Sequence, residues 1–497
     1  MFRLSLSWML LSVTGFVLSV TGVVSNVFAA RKPIEHREKY LLLEDRVVET
    51  AENAQLTLGV VKKHPDNPLW GAELPWETQL CHMYLNVIFD KEENIYKCWY
   101  FTRRGSWQRD ITLGSLATGE TEKEEDCPRC FEAVLYAVSQ DGIKWDKPKL
   151  DVYRYKGKPT NIVFYSSTGT GVFKDLREPD PQRRYKLITG SVPHDKVYVA
   201  FSPDGIRWSK RQLAGHVRGD THNNALWAPS LGKYVAITRE YPVPPACDKT
   251  TSQLGIRTVL RMESDDFVHW TEPTEVLRNP TRDAQVYSMP VFWYESVYLG
   301  LPAIYRVDTD KRVHTELAWS SDTVTWNRII PGNQLIQHST QLIPLAKDTA
   351  SIEWGCIYAA ASPVVLENEI RIYYSAQKKV HSWQDGWLCM ATMRPDGWAG
   401  YEPFDPGQPA SVHTSAVTCL GTALRVTADA KGGELTVTII GSGGKVLATS
   451  NPITDDVTSG EVQWRGGFDW ASLGGKPICL RFGLKRAKVF SFDLVKK

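Results

Sequence analysis

Helix is the first thing this 497-residue chain lacks: no helical periodicity of any length runs through its repeated part, which excludes a helical bundle there. Net charge is nearly absent too. The 58 Lys and Arg against 56 Asp and Glu leave +2, so there is no global attraction for nucleic acid or an anionic membrane. Cysteine is scarce and odd in number, at nine. Cys98, Cys356, Cys389, Cys419 and Cys479 sit inside apolar strand patterns, where a buried small hydrophobe is the expected role. Cys127 and Cys130 form a lone CxxC in an acidic loop. With neither a second pair nor two well-spaced histidines, a loop disulfide after export is expected and a metal or other cofactor is not. Long apolar runs are missing except at the start, where Arg3, the run Leu4 to Val24 and Val27-Phe28-Ala29 fit a secretory signal over 1–30, cleaved near Ala29 or Ala30. The alternative there is an uncleaved membrane anchor; no other segment is long enough to span.

Aromatics are plentiful. The 18 Trp and 20 Tyr suit both stacked β-sheets and sugar-binding surfaces. A short motif recurs: Ser139-Gln-Asp-Gly-Ile-Lys-Trp145, Ser202-Pro-Asp-Gly-Ile-Arg-Trp208, Ser264 to Trp270 and Ser320 to Trp326 without the glycine, and a worn Arg394-Pro-Asp-Gly-Trp398. Five copies at intervals of roughly 55 to 75 residues mark repeated supersecondary units. Asp-Gly between β-rich runs reads as a tight hairpin, with Ser and Asp bonding turn backbone and Trp packing beside it.

Each unit carries four strands, A to D. The first runs Met83–Asp90, Ile95–Thr102, Glu132–Ser139 and on from Ile143; the second starts at Gly171–Lys174 and the third at Asn224–Pro229, with its D strand at Val268–Thr271. The fourth starts at Gln285–Trp293 and the fifth at Gly355–Val365, with its D strand at Trp398–Glu402. The fold class expected is all-β, a five-bladed β-propeller over 81–404, preceded by a strand and arm over 31–80. A linker at 405–410 leads to a small C-terminal β-sandwich over 411–497.

Strand direction sorts the loops. Segments leading into A and segments leaving B share one face and point at one axial pocket, while the repeated hairpins lie on the other. Three carboxylates reach that pocket, Glu77, Asp220 and Asp283, with Glu240 and Glu353 as weaker candidates. Each has a structural alternative: Asp220 as a turn cap, Asp283 as an ion-pair partner of its arginine, Glu77 as a solvated side chain. Paired carboxylates in a polar, aromatic pocket are what glycosidic bond cleavage needs, one as acid and one as nucleophile or base. Around them stand Arg104, His222, Asn223, Arg239, Tyr287, Arg306 and His381 as substrate-binding candidates, the arginines suited to a carboxylate or sulfate on the sugar. They serve equally to neutralise the acids. The partner expected is a carbohydrate, with no nucleic acid and no membrane span once the signal is removed.

The blade count, the Ser-x-Asp-Gly hairpins, the Arg282-Asp283 pair and the appended sandwich together resemble the five-bladed propeller glycosidases, the superfamily of arabinanases, levansucrases and invertases. The resemblance covers the whole mature chain and is closest to secreted bacterial proteins of glycosyl hydrolase family 32-like or 43-like type. It implies an exported glycoside hydrolase, with one acid from the first blade as nucleophile or base, an Asp from a later blade stabilising the transition state, and a Glu as general acid. The chain departs from the invertase pattern: only Asp66-Asn67-Pro68 and Glu77 stand where Asn-Asp-Pro-Asn-Gly is usual, Glu-Cys-Pro has no counterpart, and Ala284 follows Arg282-Asp283. Two alternatives stay open, a non-catalytic carbohydrate-binding propeller and a glycoside phosphorylase using Arg104, Lys378, Lys379 and His381 for phosphate.

Overall fold

The computed structural model describes residues 34, 36–104, 131–165, 168–191, 195–241, 255–339, 351–381 and 386–496. The signal segment 1–30, the Cys127–Cys130 loop and His194 fall outside the described residues. The described chain is almost entirely β, with three short 3-10 turns.

Three antiparallel four-stranded sheets come first. The first is Asn86–Asp90, Ile95–Arg104, Phe131–Ser139 and Ile162–Tyr165, the second Gly171–Lys174, Tyr185–Gly190, Val197–Ser202 and Gln212–Gly215, and the third Asn224–Ala228, Lys233–Glu240, Thr258–Ser264 and Thr274–Leu277. The fourth unit is split by Pro290 and Pro302. Neither residue has an N–H to give to the ladder. Ala284–Ser288, Ala303–Arg306 and Val313–Thr315 form its inner part, and Val291–Tyr294, Val297–Gly300, Leu317–Ser320 and Asn327–Ile329 its outer part. The fifth holds Cys356–Ala359, Ile370–Gln377 and Trp387–Met393, joined to the fourth by one parallel pair, Val313 with Cys356.

Outer strands depart from the sequence reading. Those of the first three units come later than expected, because the Ser-x-Asp turn occupies the residues that follow each third strand. Ser202 Oγ accepts the Gly205 N–H, and Asp204 Oδ1 accepts the N–H groups of Ile206 and Arg207, so these residues close a cap instead of pairing. The fifth unit differs more. Its outer strand is Lys62–Lys63 from the N-terminal arm, while Ala399–Pro403 leaves to pair with Ala54–Leu58. Of the strand expected ahead of the arm, only Tyr40–Leu41 pairs, against Phe492 and Ser491.

Packing runs in a ring. One apolar cluster joins Trp99 and Tyr136 of the first sheet to Tyr185 and Leu187 of the second, and another joins Ile188 and Val199 to Ala236 and Met262 of the third. Val235 and Ile237 meet Val291 and Tyr298 of the fourth, whose Leu299 and Trp319 meet Ile372 and Ala391 of the fifth. Tyr373 and Met390 of the fifth then pack with Val87 and Leu135 of the first, closing the circle. The C-terminal strands make two further sheets over one core that includes Val426, Val437, Phe482 and Phe492, and the N-terminal strands Val48–Glu52 and Ala54–Leu58 extend one sheet each.

Candidate functional site

The inner ends of the first, third, fourth and fifth units converge on a cluster of histidine, tyrosine and arginine. Its first-unit members are set by an unusual backbone. His82, Met83 and Tyr84 are three consecutive buried residues with φ of 62°, 47° and 40°. A non-glycine residue held in this region costs about 1 to 3 kcal/mol, and such outliers gather at functional sites. Bonds from Tyr84 N–H to His82 O and from Phe101 N–H to Met83 O, both 2.6 Å, hold the turn. It aims the His82 Nε2 at His381 Nδ1, 3.0 Å away, and the Tyr358 hydroxyl also reaches that Nδ1, at 2.8 Å. The Tyr84 hydroxyl meets that of Tyr287 at 3.1 Å.

Asp220 is the carboxylate of this cluster, its side chain 15% exposed. Arg239 donates to Oδ1 from Nε at 3.1 Å and from Nη2 at 2.8 Å, and also to the Asp220 carbonyl. Oδ2 faces the Tyr241 hydroxyl at 3.3 Å and Arg218 Nε at 3.5 Å. Glu240, next along the strand from Arg239, accepts the backbone N–H groups of Arg218 and Tyr241 at 3.2 and 2.8 Å. Two carboxylates thus flank Arg218 and Tyr241. Arg239 and Arg257 both stand over the Tyr287 ring, at 4.4 and 5.6 Å.

Burial and cations fix the protonation states. Burial opposes the charge of Arg239, but the Asp220 carboxylate together with the hydroxyls of Tyr241, Tyr287 and Tyr84 outweighs it and holds the guanidinium pKa well above its ordinary value. Burial, aided by Arg239 and Arg257, lowers His82 to about 3, and burial alone lowers His222 to about 3. His381 lies well below its ordinary value through burial, His82 and the same two arginines. The imidazoles are therefore neutral at pH 7, and burial pushes Tyr287 up to about 12. Both contacts of His381 are made at Nδ1, which leaves Nε2 as the ring's other hydrogen-bonding atom.

Of the residues singled out from sequence, Asp220, Arg239, Tyr287 and His381 meet here. His222 joins at the edge through Asn86 Oδ1, at 3.4 Å. Asn223 needs correction as a substrate donor. It is fully buried, its amide donates to the carbonyls of Gly169, Gly219 and Thr221, and its oxygen accepts from Thr238, so it braces the loop. Glu77 is not the solvated side chain that was the alternative: fully buried and apart from the Asp220 cluster, it accepts from the Tyr100 hydroxyl, Lys147 and the N–H groups of Glu73 and Leu74. Asp283 caps a turn, accepting from the N–H groups of Asp308 and Thr309 and from the Thr309 hydroxyl. Burial would raise its pKa, but those bonds outweigh burial and hold it below the usual range. Arg306, 44% exposed, belongs to the same turn, bonding Thr309 and lying 3.6 Å from Asp283. The expected trio of carboxylates therefore sits in three different networks. Arg104 ends its strand, and its side chain lies outside the described residues; Glu353 pairs with Lys63 and Tyr374 in the fifth sheet.

His82, Tyr84, Tyr241, Arg257 and Tyr358 complete the cluster without being among the residues singled out from sequence. Tyr241 and Arg257 had a usable signal, since they flank the long 242–254 connection leaving the strand that carries Arg239. The turn at His82 had none, because no glycine or Asn-Gly announces it. Among the described residues no group of three or more His, Cys, Asp or Glu could hold a metal ion.

No protein family and no curated protein matches the chain. Solved structures similar to it include an N-acetylgalactosamine deacetylase from F. plautii in complex with blood group B trisaccharide. It is 12% identical, with a TM-score of 0.42 over 69% of this chain and 96% of that one. A β-1,2-mannobiose phosphorylase from Listeria innocua aligns at 12% identity and TM-score 0.42, over 67% and 96%. A third is described with the GH130 family of mannoside phosphorylases, said to contain glycoside hydrolases that target β-1,2-mannosidic linkages in Candida mannan. It aligns at 12% identity and TM-score 0.42, over 68% and 95%.

Proposed function

We propose that the chain is an exported carbohydrate-active enzyme that cleaves a glycosidic bond, with the Asp220 cluster as its site. In this reading the ring of five packed units is a five-bladed β-propeller, the C-terminal pair of sheets an appended β-sandwich, and the cluster the axial pocket on which the inner strands converge. The observation that carries it is Asp220 itself, a carboxylate partly open to solvent inside a cage of aromatic rings and charged donors. Two guanidinium groups and a phenol compensate its charge, which suits a nucleophile or base more than a proton donor. Glu240, beyond Arg218 and Tyr241, is the second carboxylate of the pair. Tyrosine faces offer stacking to a sugar ring, and Nε2 of the neutral His381 a hydrogen bond to a hydroxyl.

Hydrolysis is the first reading. The three arginines gathered here, Arg218, Arg239 and Arg257, favour phosphorolysis as the second, with inorganic phosphate replacing water. Both are tested by assaying Asp220→Asn and Glu240→Gln against a panel of neutral and acidic oligosaccharides, with and without phosphate. Each variant is expected to lose about a hundredfold or more in kcat/KM. Activity within threefold of wild type for Asp220→Asn would remove this site from the reaction. Turnover that needs phosphate would decide for phosphorolysis.

A further inference from the structure

Arg257 differs from its neighbouring arginines in what it lacks. Arg239 and Arg218 both lean on Asp220. Arg257 has no carboxylate partner among the described residues: its bonds go from N–H and Nη1 to the neutral amide oxygen of Gln285, at 3.3 and 2.8 Å. Its Nε is buried with no acceptor. The guanidinium lies over three phenol rings, Tyr241 at 4.9 Å, Tyr305 at 5.2 Å and Tyr287 at 5.6 Å, which hold its face. A half-buried charge without a counter-ion is costly unless something pairs with it. The field it leaves is felt nearby, since Arg257 is among the groups that lower His82 and His381.

We propose that Arg257, framed by Tyr241, Tyr305 and Gln285, is an oxyanion-binding subsite of the cluster. Its ligand is a carboxylate or sulfate carried by the sugar, or free phosphate. The identity of the carrier rests on the carbohydrate reading above; the anion site itself does not. A forked guanidinium matches two oxygens of any of these groups, and rings at its face fix its plane before the ligand arrives.

Calorimetric titration of the full chain with glucuronate, galactose 6-sulfate, inorganic phosphate and neutral galactose tests this without turnover. Wild type is expected to bind at least one anion more tightly than galactose. Arg257→Gln should weaken that anion about ten- to a hundredfold, the usual effect of losing a charged hydrogen-bonded pair, and leave galactose unchanged. Preference for the sugar acids or for phosphate identifies the carrier. No anion binding above galactose, or a loss smaller than fivefold in the variant, overturns the proposal. Should Arg257→Gln fail to fold, phenylglyoxal labelling of wild type replaces it: the anion must protect Arg257, and absence of protection overturns the subsite. An active enzyme with no anion preference would sink this inference alone. An inactive Asp220→Asn that still binds the anion leaves both readings standing.

Discussion

Asp283 and Asp220 show how alike two aspartates look before the chain folds. Each precedes an inner strand, near an arginine, in a polar run. Asp283 ends up closing a turn with three bonds, while Asp220 stands among Arg239, Arg218 and Tyr241. The difference lies in residues 308–309 and 239–241, distant enough in sequence that no local pattern connects them. Asp283→Asn is therefore expected to leave kcat/KM within threefold of wild type while lowering stability by about 1 kcal/mol, the scale of a turn cap. Activity and a urea unfolding curve on the same preparation check it; a hundredfold activity loss would return Asp283 to the reaction. Asp220, His222, Arg239, Tyr287 and His381 were legible because strand polarity alone puts inner-strand ends together. His82 and Tyr84 were not, because their backbone is held in place by tertiary contacts that no composition signals.

Among the elements, the repeated hairpin was the most legible and the outer strand of the fifth sheet the least. Ser and Asp close the turn through the same bonds in all four full copies, with and without glycine. Gly142 and Gly205 hold φ of 75° and 76°, and a Cβ there would strike Tyr373 or Trp99. Phe267 and Thr323 hold the same turn at 66° and 64° because they fill that space themselves: Phe267 packs on Phe201, Tyr234 and Trp270, and Thr323 Oγ1 accepts from Arg261. By contrast, Lys62–Lys63 carries no strand signature; pairing with Ala391 and Thr392 makes it one. Asn67 secures it, with its amide donating to Tyr374 and to the Met390 carbonyl and its oxygen accepting the Met390 N–H. Asn67→Ala should cost about 2 to 3 kcal/mol, since it strands polar groups of a buried sheet. Denaturant unfolding measures it, and a change under 0.5 kcal/mol, roughly the noise of a surface substitution, would mean the arm contributes little to closing that sheet.

Across the whole molecule, Asp396 binds the parts together. From the worn fifth motif, its buried carboxylate accepts from Tyr294 of the fourth unit, Lys39 of the N-terminal segment, and Thr427 and Ser491 of the C-terminal sheets. Asp396→Ala leaves these donors and a lysine without their acceptor. A loss of about 3 to 5 kcal/mol is expected, together with separation of one thermal transition into two. A single unshifted calorimetric peak would deny Asp396 that role.

Acid should weaken the molecule as a whole. His82, His222 and His338 stay neutral in the fold down to about 3, each chiefly through burial, whereas unfolded they take up protons near 6.5. Between those values the unfolded chain holds more protons. Stability is thus complete above pH 6.5 and falls as pH drops, by up to about 1.4 kcal/mol per pH unit for each histidine. Urea midpoints at pH 7.5, 6.0 and 5.0 read this directly, and a flat series would show these histidines titrating alike in both states.

By itself the sequence determined the all-β class, the five repeats, the turn chemistry of the four full hairpin copies and the β character of the C-terminal region, because period-2 patterning and turn residues act over a few positions. It also marked the strand ends that gather Asp220, Arg239, Tyr287 and His381. Only the tertiary structure decided that Lys62–Lys63 completes the fifth sheet, that Glu77 is buried among donors while Asp283 caps a turn, and that Arg257 has no carboxylate partner among the described residues. Those outcomes depend on which partners arrive from far along the chain, and a carboxylate or guanidinium takes its role from the groups that reach it.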